Sequence, residues 1–259
     1  MLGAIIGDIV GSRFEFNNHK STDFEFLTND CAFTDDTVCT IAIADGLINY
    51  KQSSFGASLR HWCRKYPNPT GSYGASFARW LYSSDPMPYN SFGNGSAMRV
   101  SPCAWFSNGR IQVLDLARKS ASCTHNHPEG IRGAMCVADL IFHARNGYDK
   151  SRLLPIVKNE YFYRLNMDCD TLRHTNTFNE TCQITVPQAI VCFLESTDFE
   201  SAIRLAVSIG GDSDTIAAIT GSIAEPFYGI PEHIKKAALD YLPQEFINVI
   251  NNFYKHIEQ

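Results

Sequence analysis

The sequence lacks the features of a membrane, secreted or nucleic-acid-binding protein. The apolar start of the chain is interrupted by Asp8 and Arg13, well short of the roughly 20 residues that span a bilayer, and no basic segment typical of a signal peptide precedes it. Positive charge is not in excess, because 22 Lys and Arg stand against 27 Asp and Glu in 259 residues, a net charge of −5. This balance argues against binding through bulk positive charge. We expect a soluble, cytoplasmic monomer with no membrane partner.

The nine cysteines also lack the spacing of a disulfide scaffold or a zinc site. No two have the C-x-x-C spacing, and the nearest pair, Cys31 and Cys39, are eight positions apart. Paired or clustered cysteines would be needed for either structure. We expect these residues to be small buried hydrophobes with reduced thiols.

Alternating strand patterns are scarce, and the short run at residues 184–186 is cut off by Pro187. Most segments instead have the 3.6-residue period of an amphipathic helix. Helices are predicted between Pro128 and Gly147, from the Asp35 region to about Ile48, around 203–207, and over 216–224, 232–241 and 244–257. Apolar residues make up 44% of the chain, enough to bury a core. The pattern predicts a single all-helical domain over residues 1–259.

The first predicted helix carries Gly3, Gly7 and Gly11 at four-residue spacing, so one of its faces has no side chains. Glycine costs about 1 kcal/mol per position in a helix interior. The stripe therefore indicates that another backbone packs closely on this face, as in a dense helical core. The alternative is that the chain after Gly11 passes close to a ligand.

Two stretches far apart in sequence place several oxygen-bearing side chains at a predicted helix start. The first is Phe33-Thr34-Asp35-Asp36-Thr37, and the second is Gly210-Gly211-Asp212-Ser213-Asp214-Thr215. Asp, Ser and Thr are preferred N-caps, so capping alone accounts for either stretch. Capping needs one side chain per helix, however, and each start offers several.

If the two helix starts meet in space, four carboxylates crowd together and their repulsion must be offset by cations or protonation. Oxygen ligands without cysteine suit hard ions such as Mg²⁺, Mn²⁺ or Ca²⁺. Two ions about 3.5–4 Å apart could share a carboxylate and a water, lowering the pKa of that water for attack. The sequence does not decide between capping and a metal site.

Two further stretches have simpler interpretations when taken alone. Gly93-Asn94-Gly95-Ser96 frees backbone N–H groups for an anion such as phosphate, with Ser96 able to cap a following helix, but short glycine-rich turns are common. His125 and His127, before a predicted helix, could be ligands, an acid–base pair or polar loop residues, of which the last is favoured.

Taken in order, these motifs resemble the ADP-ribosylglycohydrolase family, the enzymes related to dinitrogenase-reductase-activating glycohydrolase. The most specific part is Thr-Asp-Asp-Thr at 34–37 followed, about 175 residues later, by Gly-Gly-Asp-Ser-Asp-Thr at 210–215. The resemblance covers nearly the whole chain. Its other parts are Gly7-Asp8, Gly11, Glu15, the segment 93–99, Thr124-His125, Gly221 and the tail 228–231.

The resemblance implies an all-α fold with orthogonal helices around a central pair of Mg²⁺ or Mn²⁺ ions. It implies cleavage of the bond between C1″ of ADP-ribose and an acceptor on a protein, nucleic acid or small molecule. The implied metal ligands are Thr34, Asp35, Asp36, Asp212, Asp214 and Thr215. The implied catalytic residues are Glu15, Asp35 and Asp36. The implied substrate contacts are Asn94, Gly95 and Ser96 at the diphosphate and His125 in the distal part of the pocket.

General chemistry agrees with these implied roles. A glycosidic bond to ribose breaks through an oxocarbenium-like state, which nearby anionic oxygens stabilise. A carboxylate such as Glu15 can give or take the proton, a role worth about 10²–10⁴-fold in rate.

The sequence departs from the family pattern in two places. Some relatives carry an acidic residue just before a Gly-x-Tyr-Gly-like stretch, where this chain reads Pro69-Thr70-Gly71-Ser72-Tyr73-Gly74, so another group must act if that acid is their base. Glu225-Pro226 replaces small residues, and we expect Pro226 to cut the helix short.

Two alternatives to the hydrolase stay open. The protein could be a non-catalytic ADP-ribose-binding relative. It could also be a metal-dependent phosphoester hydrolase, because Asp212-Ser213-Asp214-Thr215 is superficially similar to the Asp-x-Asp-Gly-Thr motif of haloacid-dehalogenase-type phosphatases. That motif follows a strand near the chain start, whereas this one follows a predicted helix.

Overall fold

The backbone of the computed structural model, which describes residues 1–49 and 54–258, is built from α-helices. In chain order they are α1 Leu2–Gly11, α2 Asp35–Asn49, α3 Phe55–Lys65, α4 Ala75–Tyr82, α5 Gly95–Met98, α6 Ser101–Phe106, α7 Arg110–Ser122, α8 Pro128–Arg145, α9 Lys150–Asn159, α10 Cys169–Thr175, α11 Cys182–Glu195, α12 Phe199–Ser208, α13 Ser213–Tyr228, α14 Glu232–Leu239 and α15 Gln244–Ile257. A 3₁₀ turn, Ser12–Phe14, follows α1. Within these residues, β-pairing is limited to two isolated bridges. The all-helical prediction is confirmed.

Several helices lie close to the limits that periodicity predicts. Helices α2, α8 and α12 match their predicted segments, and α15 has its predicted bounds. Helix α14 ends two residues early, at Leu239. Pro231 and Pro243 are the N-caps of α14 and α15, as expected from their fixed φ.

One boundary prediction is wrong, and a strand-like run is helical. Helix α13 is not cut short by Pro226, since it continues to Tyr228 and ends before Gly229, whose φ is +75°. Pro226 lacks only its own N–H, and helical bonding continues past it, since the N–H of Gly229 donates to the carbonyl of Glu225 at 2.9 Å. Residues 184–186 lie inside α11, which also accommodates Pro187.

The glycine stripe of α1 packs directly on the backbone of α13. A Cβ atom added at Gly7 would lie 2.1 Å from the carbonyl oxygen of Ala217, and one at Gly11 would lie 2.5 Å from the Cα of Asp214. No side chain fits in these spaces. The close-packing interpretation is confirmed, and the contact at Gly11 fixes the start of α13 against the end of α1.

One continuous apolar core, drawn from nearly every helix, surrounds this α1–α13 pair. Eight of the nine cysteines are buried as expected, and Cys123 is half-buried. Among the described residues, no helix is long and apolar enough to cross a membrane.

Candidate active site

The start of α2 is held by a carboxylate of α1. Asp8 is fully buried and accepts hydrogen bonds from the backbone N–H groups of Thr34 (3.0 Å) and Thr37 (3.1 Å). Both threonine hydroxyls also donate to it. The hydroxyl of Thr34 in turn accepts from the N–H of Asp36 at 3.2 Å. Asp8 and Thr34 therefore cap α2, which leaves the side chains of Asp35 and Asp36 available for another role.

The start of α13 follows a turn that only glycine adopts easily. Gly210 and Gly211 have φ values of +66° and +84°. Asp212 is the N-cap residue, but its side chain makes no capping hydrogen bond. Its Oδ2 instead accepts from Nδ2 of Asn94 at 2.6 Å. Capping does not account for this carboxylate either.

Asn18 joins this turn to the segment that carries Glu15. Its Oδ1 accepts from the N–H of Gly211 at 2.8 Å. Its Nδ2 lies 2.9 Å from the carbonyl oxygen of Gly211 and 2.8 Å from that of Phe14. The carbonyl of Glu15 is a further acceptor at 3.1 Å. One amide side chain thus fixes Glu15 relative to the start of α13.

These contacts bring the two acidic helix starts together. Carboxylate oxygens of Asp8, Asp36 and Asp214 lie within 4.8 Å of one another, and so do oxygens of Glu15, Asp212 and Asp214. The two groups share Asp214. The hydroxyl of Thr215, beside them, donates to Oδ2 of Asp36 at 3.2 Å. The spatial convergence on which the metal hypothesis depends is therefore present in the fold.

Three oxygens of this carboxylate cluster (Asp8, Glu15, Asp36, Asp212 and Asp214) are buried without a hydrogen-bond partner among the described residues. They are Oε2 of Glu15, Oδ1 of Asp36 and Oδ1 of Asp214. Buried carboxylate oxygens are normally bonded to a donor or a cation. A donor set made only of oxygen atoms suits Mg²⁺ or Mn²⁺. The residues present thus fit hard divalent cations.

The pKa values of the carboxylate cluster also indicate a site that suits cations. Burial is the main cause that raises the pKa of Asp8 to about 6 and that of Glu15 to about 7. Burial, reinforced by neighbouring carboxylates, raises the pKa of Asp36 and Asp214 well above the usual range. Without a cation, each of these side chains therefore binds a proton more readily than an exposed carboxyl does.

The carboxylate cluster lies at a cavity of about 420 Å³, within the size range of ligand sites. The predicted site residues that line it are Glu15, Asp35, Asp36, Asn94, Gly95, His125, Asp212, Asp214 and Thr215. Thr34 is fully buried behind the wall. Ser96 is also fully buried, and its hydroxyl donates to the carbonyl of Gly130 at 2.7 Å. The prediction that Ser96 caps a helix is wrong, because Asn94 is the N-cap of α5 and Ser96 lies within that helix.

A neutral histidine forms another part of the cavity wall. The hydroxyl of Thr124 accepts from Arg99 at 2.7 Å and lies 2.7 Å from Nδ1 of His125. The other ring nitrogen, Nε2, lies on the side of Gly95. Burial, followed by the charge of Arg99, lowers the pKa of His125 well below its usual value. His125 thus offers a neutral imidazole to a ligand.

His127 has a structural role. It is the N-cap of α8, and its Nδ1 accepts from the backbone N–H of Glu129 at 3.1 Å. Of the two histidines, only His125 is part of the cavity. The prediction of polar loop residues is correct for His127 alone.

Several residues of the site were missed by sequence reasoning. Asp8 could have been found, since it is a charged residue in the middle of an otherwise apolar helix that becomes fully buried. Asn18, Phe178 and Glu180 lie in segments without periodicity or motif, so no local signal marks them. Arg99 was part of a motif but received no role, although it is 1% exposed and lines the cavity.

Comparison with known proteins finds relatives over the length of the chain. A family model described as ADP-ribosylglycohydrolase matches residues 1–259. ADP-ribosylarginine hydrolase Tri1 of Pseudomonas putida (strain GB-1) is 25% identical, covering 92% of this chain and 73% of that protein. ADP-ribosylhydrolase ARH3 of Homo sapiens is 25% identical, covering 93% and 88%. A solved structure described as an ADP-ribosylglycohydrolase-related protein complex shares the fold, with a TM-score of 0.74, 24% identity, and coverage of 99% of this chain and 95% of that chain.

Proposed function

The chain belongs to the ADP-ribosylglycohydrolase family, and from this membership we propose that it is a metal-dependent glycosidic-bond hydrolase. It cleaves the bond between ADP-ribose and a modified acceptor and releases free ADP-ribose. The acceptor is part of a protein, a nucleic acid or a small molecule. Relatives named for the hydrolysis of ADP-ribosylated substrates support this assignment.

The observation that carries the proposal is the meeting of two distant acidic segments at one cavity. Carboxylate oxygens from the starts of α2 and α13 lie within 4.8 Å of one another, and three oxygens of the carboxylate cluster have no partner among the described residues. A fold selected only for stability would not bury several unpaired carboxylates together. Their cost is offset when they bind cations or stabilise positive charge on a substrate.

Two divalent cations, Mg²⁺ or Mn²⁺, fit the carboxylate cluster. Asp8, Asp36 and Asp214 would hold one, and Glu15, Asp212 and Asp214 the other. Asp35, Thr34 and Thr215 are kept as further predicted ligands. When bound, such ions hold hydroxyl groups of the ribose and lower the pKa of a water molecule.

The protein groups supply acid–base and electrostatic catalysis. Cleavage at C1″ develops positive charge on the ribose ring, and the carboxylates around the cavity stabilise it. Glu15 is half-buried and lines the cavity, so its carboxyl can protonate the leaving group or accept a proton from the attacking water. Asp35 and Asp36 are its predicted catalytic partners.

The diphosphate of ADP-ribose is proposed to bind at Asn94 and Gly95. Helix α5 begins at Gly95, which lines the cavity, so its N–H group is not used by the helix and can bind an anionic oxygen. The carboxamide of Asn94 positions Asp212, and Nε2 of His125 lies on the side of Gly95. The contact of Ser96 with the diphosphate stays a prediction.

The two alternatives are distinguishable. A phosphatase of the haloacid-dehalogenase type has its aspartates after a strand, whereas Asp212 and Asp214 follow α12 and open α13. That alternative has no structural support. A non-catalytic ADP-ribose-binding protein would keep binding without product release. The cytoplasmic location and the monomeric state expected from the sequence stay predictions.

The proposal is tested by incubating the protein with a panel of ADP-ribosylated acceptors, with and without Mg²⁺ or Mn²⁺, and measuring free ADP-ribose. We expect release that depends on a divalent cation and is abolished in Asp35→Ala and Asp214→Ala, while circular dichroism shows an intact helical fold. Asp30→Ala, a change at an exposed aspartate outside the cavity, serves as the matched control. Release that persists in EDTA, or ADP-ribose binding without release from any acceptor, contradicts the proposal.

A further inference from the structure

The loop that precedes α4 forms one wall of the cavity and has an unusual backbone. Gly71 and Ser72 have φ values of +80° and +71°, in the left-handed region that residues other than glycine rarely adopt. The N–H of Ser72 donates to the carbonyl of Pro69 at 3.1 Å and closes the turn. Residues 71–74 line the cavity. We call residues 69–74 the Gly71 loop.

The Gly71 loop is anchored on both sides of its glycine. Thr70 pairs with Thr34, the residue before α2, in an isolated parallel bridge. On the other side, the hydroxyl of Tyr73 donates to the carbonyl of Tyr66 at 2.7 Å. These contacts hold the backbone of Gly71 in place against the cavity, so a neighbouring group that needs more room must itself move.

The group that lies against Gly71 is the carboxyl of Glu15. A Cβ atom added at Gly71 would lie 2.6 Å from Oε2, 3.4 Å from Cδ and 3.5 Å from Oε1 of Glu15. An oxygen of the same carboxyl lies within 4.8 Å of oxygens of Asp212 and Asp214. The carboxyl therefore fills the space between these aspartates and the Gly71 loop, and the space exists because residue 71 has no side chain.

The contact at Gly71 differs in kind from the contacts made by the glycines of α1. A methyl group at Gly7 would meet backbone atoms of α13, which cannot move without shifting the helix. At Gly71, the three nearest atoms all belong to the end of one flexible side chain. That end can rotate away and leave the fold in place, but the carboxyl of Glu15 then leaves the aspartates. A side chain at position 71 is thus expected to displace Glu15 rather than to unfold the protein.

We propose that Gly71 is a positioning residue for Glu15. Because Gly71 has no side chain, the carboxyl of Glu15 reaches the place beside Asp212 and Asp214 from which it acts on a ligand. This inference rests on the proposed function, in which Glu15 transfers a proton. A misplacement of about 1 Å is enough to lower a rate about 10²-fold. Any residue larger than glycine at this position therefore slows the reaction more than it weakens the binding of ADP-ribose.

The test compares Gly71→Ala with Gly147→Ala as the matched control. Gly147 has a φ of +75°, and a Cβ added there meets nothing within 4 Å, so this variant has the same kind of backbone strain without the contact. In Gly71→Ala, we expect kcat for the release of ADP-ribose to fall about 10²-fold, while Kd for ADP-ribose changes by less than about threefold. Gly147→Ala should keep both values. Thermal melts should show a similar loss of melting temperature in the two variants.

A double-mutant cycle separates the positioning of Glu15 from a general distortion of the cavity wall. In Glu15→Gln the carboxyl is absent, so adding Gly71→Ala should lower kcat by less than about threefold. A distorted wall would instead cost the same in both backgrounds. Equal costs with and without Glu15→Gln overturn the inference. An unchanged kcat in Gly71→Ala, or a loss confined to Kd, overturns it too.

A crystal structure of Gly71→Ala gives a readout that does not depend on turnover. We expect the carboxyl of Glu15 to have left Asp212 and Asp214, with the backbone of the Gly71 loop in place. A carboxyl in its original position, or a shift of the loop instead, overturns the inference while the proposed hydrolase stands. Absence of ADP-ribose release by the unaltered protein contradicts the proposed function, and the position of the carboxyl still decides whether Gly71 positions Glu15.

Discussion

Within the carboxylate cluster, Glu15 is half-buried, whereas Asp8, Asp36, Asp212 and Asp214 are buried. Its Oε2 has no hydrogen-bond partner in the described part of the chain, and burial together with the charges of Asp212 and Asp8 raises its pKa to about 7. Its partial exposure at the cavity lets Glu15 contact a ligand and transfer a proton, as well as face a cation. The buried aspartates are better suited to holding cations alone.

Glu15→Gln separates these roles because glutamine keeps the size of the side chain and loses the titrating proton. We expect kcat to fall about 10²–10⁴-fold while the Kd for ADP-ribose changes by less than about tenfold. Steady-state kinetics and calorimetric titration with ADP-ribose measure the two quantities. Equal losses in turnover and affinity would assign Glu15 to binding instead.

At this scale, residue types and motif order were sufficient to identify Asp36, Asp212 and Asp214, which do converge. They were not sufficient to orient the side chains. Ser96 lies in the predicted loop, but its hydroxyl turns to the carbonyl of Gly130 in the core. Asp8 was overlooked as part of the cluster because its partners, Thr34 and Thr37, are close only in the folded chain.

At the scale of elements, short connections fix Glu15 relative to the start of α13. The segment after α1 and the turn before α13 are held together by the carboxamide of Asn18, which binds both the carbonyl of Glu15 and the backbone of Gly211. Lys20 adds a bond from Nζ to the carbonyl of Asn176 at 3.1 Å. The relative position of Glu15 and Asp212 therefore depends on the hydrogen bonds of Asn18.

Asn18→Ala removes the hydrogen bonds of the carboxamide and leaves every carboxylate of the site in the sequence. We expect the affinity for Mn²⁺ to fall about 10–100-fold, as is usual when a group that orients metal ligands is lost. The readout is the rise in melting temperature on Mn²⁺ titration, compared with Asn251→Ala, a change at an exposed asparagine on α15. An unchanged Mn²⁺ titration would show that Asn18 has no positioning role.

The α1–α13 contact fixes one side of the site, and its glycines leave no room for a methyl group. In Gly7→Ala the new Cβ would meet the carbonyl oxygen of Ala217 at 2.1 Å, a backbone atom that cannot rotate away. We expect a loss of about 1–3 kcal/mol or more in the free energy of unfolding, measured by urea denaturation.

Gly56→Ala is the matched control, since a Cβ in α3 would meet its neighbours only at 3.5 Å or beyond. This change should be neutral or should stabilise the protein, because alanine is favoured over glycine in a helix. Equal stability of the two variants would contradict the packing account.

The helices themselves were largely predictable, because apolar periodicity reports which face is buried. The bounds of α15 and the prolines before α14 and α15 followed from local signals. The end of α13 did not, since Pro226 removes one helical hydrogen bond and the packing of α13 in the core keeps the rest of the helix in place. Pro187 is accommodated in the interior of α11 in the same way.

At the scale of the whole molecule, the buried carboxylates tie stability to pH and to divalent cations. In the cation-free protein, the pKa of Asp8 is about 6 and that of Glu15 about 7, above their ordinary values. The folded state therefore binds protons more tightly than the unfolded state. The resulting stabilisation is complete below about pH 4 and is lost as the pH rises through 6 and 7.

In EDTA, the melting temperature should consequently fall between pH 5 and pH 8, by about 5 °C or more, and saturating Mg²⁺ should raise it most at the upper end. Differential scanning calorimetry across this range checks both trends. Two outcomes would contradict this prediction. The melting temperature of the cation-free protein would rise with pH, or the stabilisation by Mg²⁺ would be largest at pH 5.

The meeting of the starts of α2 and α13 could be predicted only from the order and spacing of the motifs along the chain. Periodicity places α2 and α13 as helices, but nothing local states that their starts meet. Helix α1 brings them together, because its glycine stripe packs against α13 and its Asp8 caps α2. Helix α1 thus connects α2 to α13, and these contacts exist only in the folded chain.

The central claim is that these helix starts share a pair of divalent cations. The most direct measurement is an anomalous difference map from crystals grown with Mn²⁺. We predict two peaks about 3.5–4 Å apart, within coordination distance of Asp36, Asp212 and Asp214. A map without peaks in this cavity, with the aspartates turned to solvent, would contradict the account.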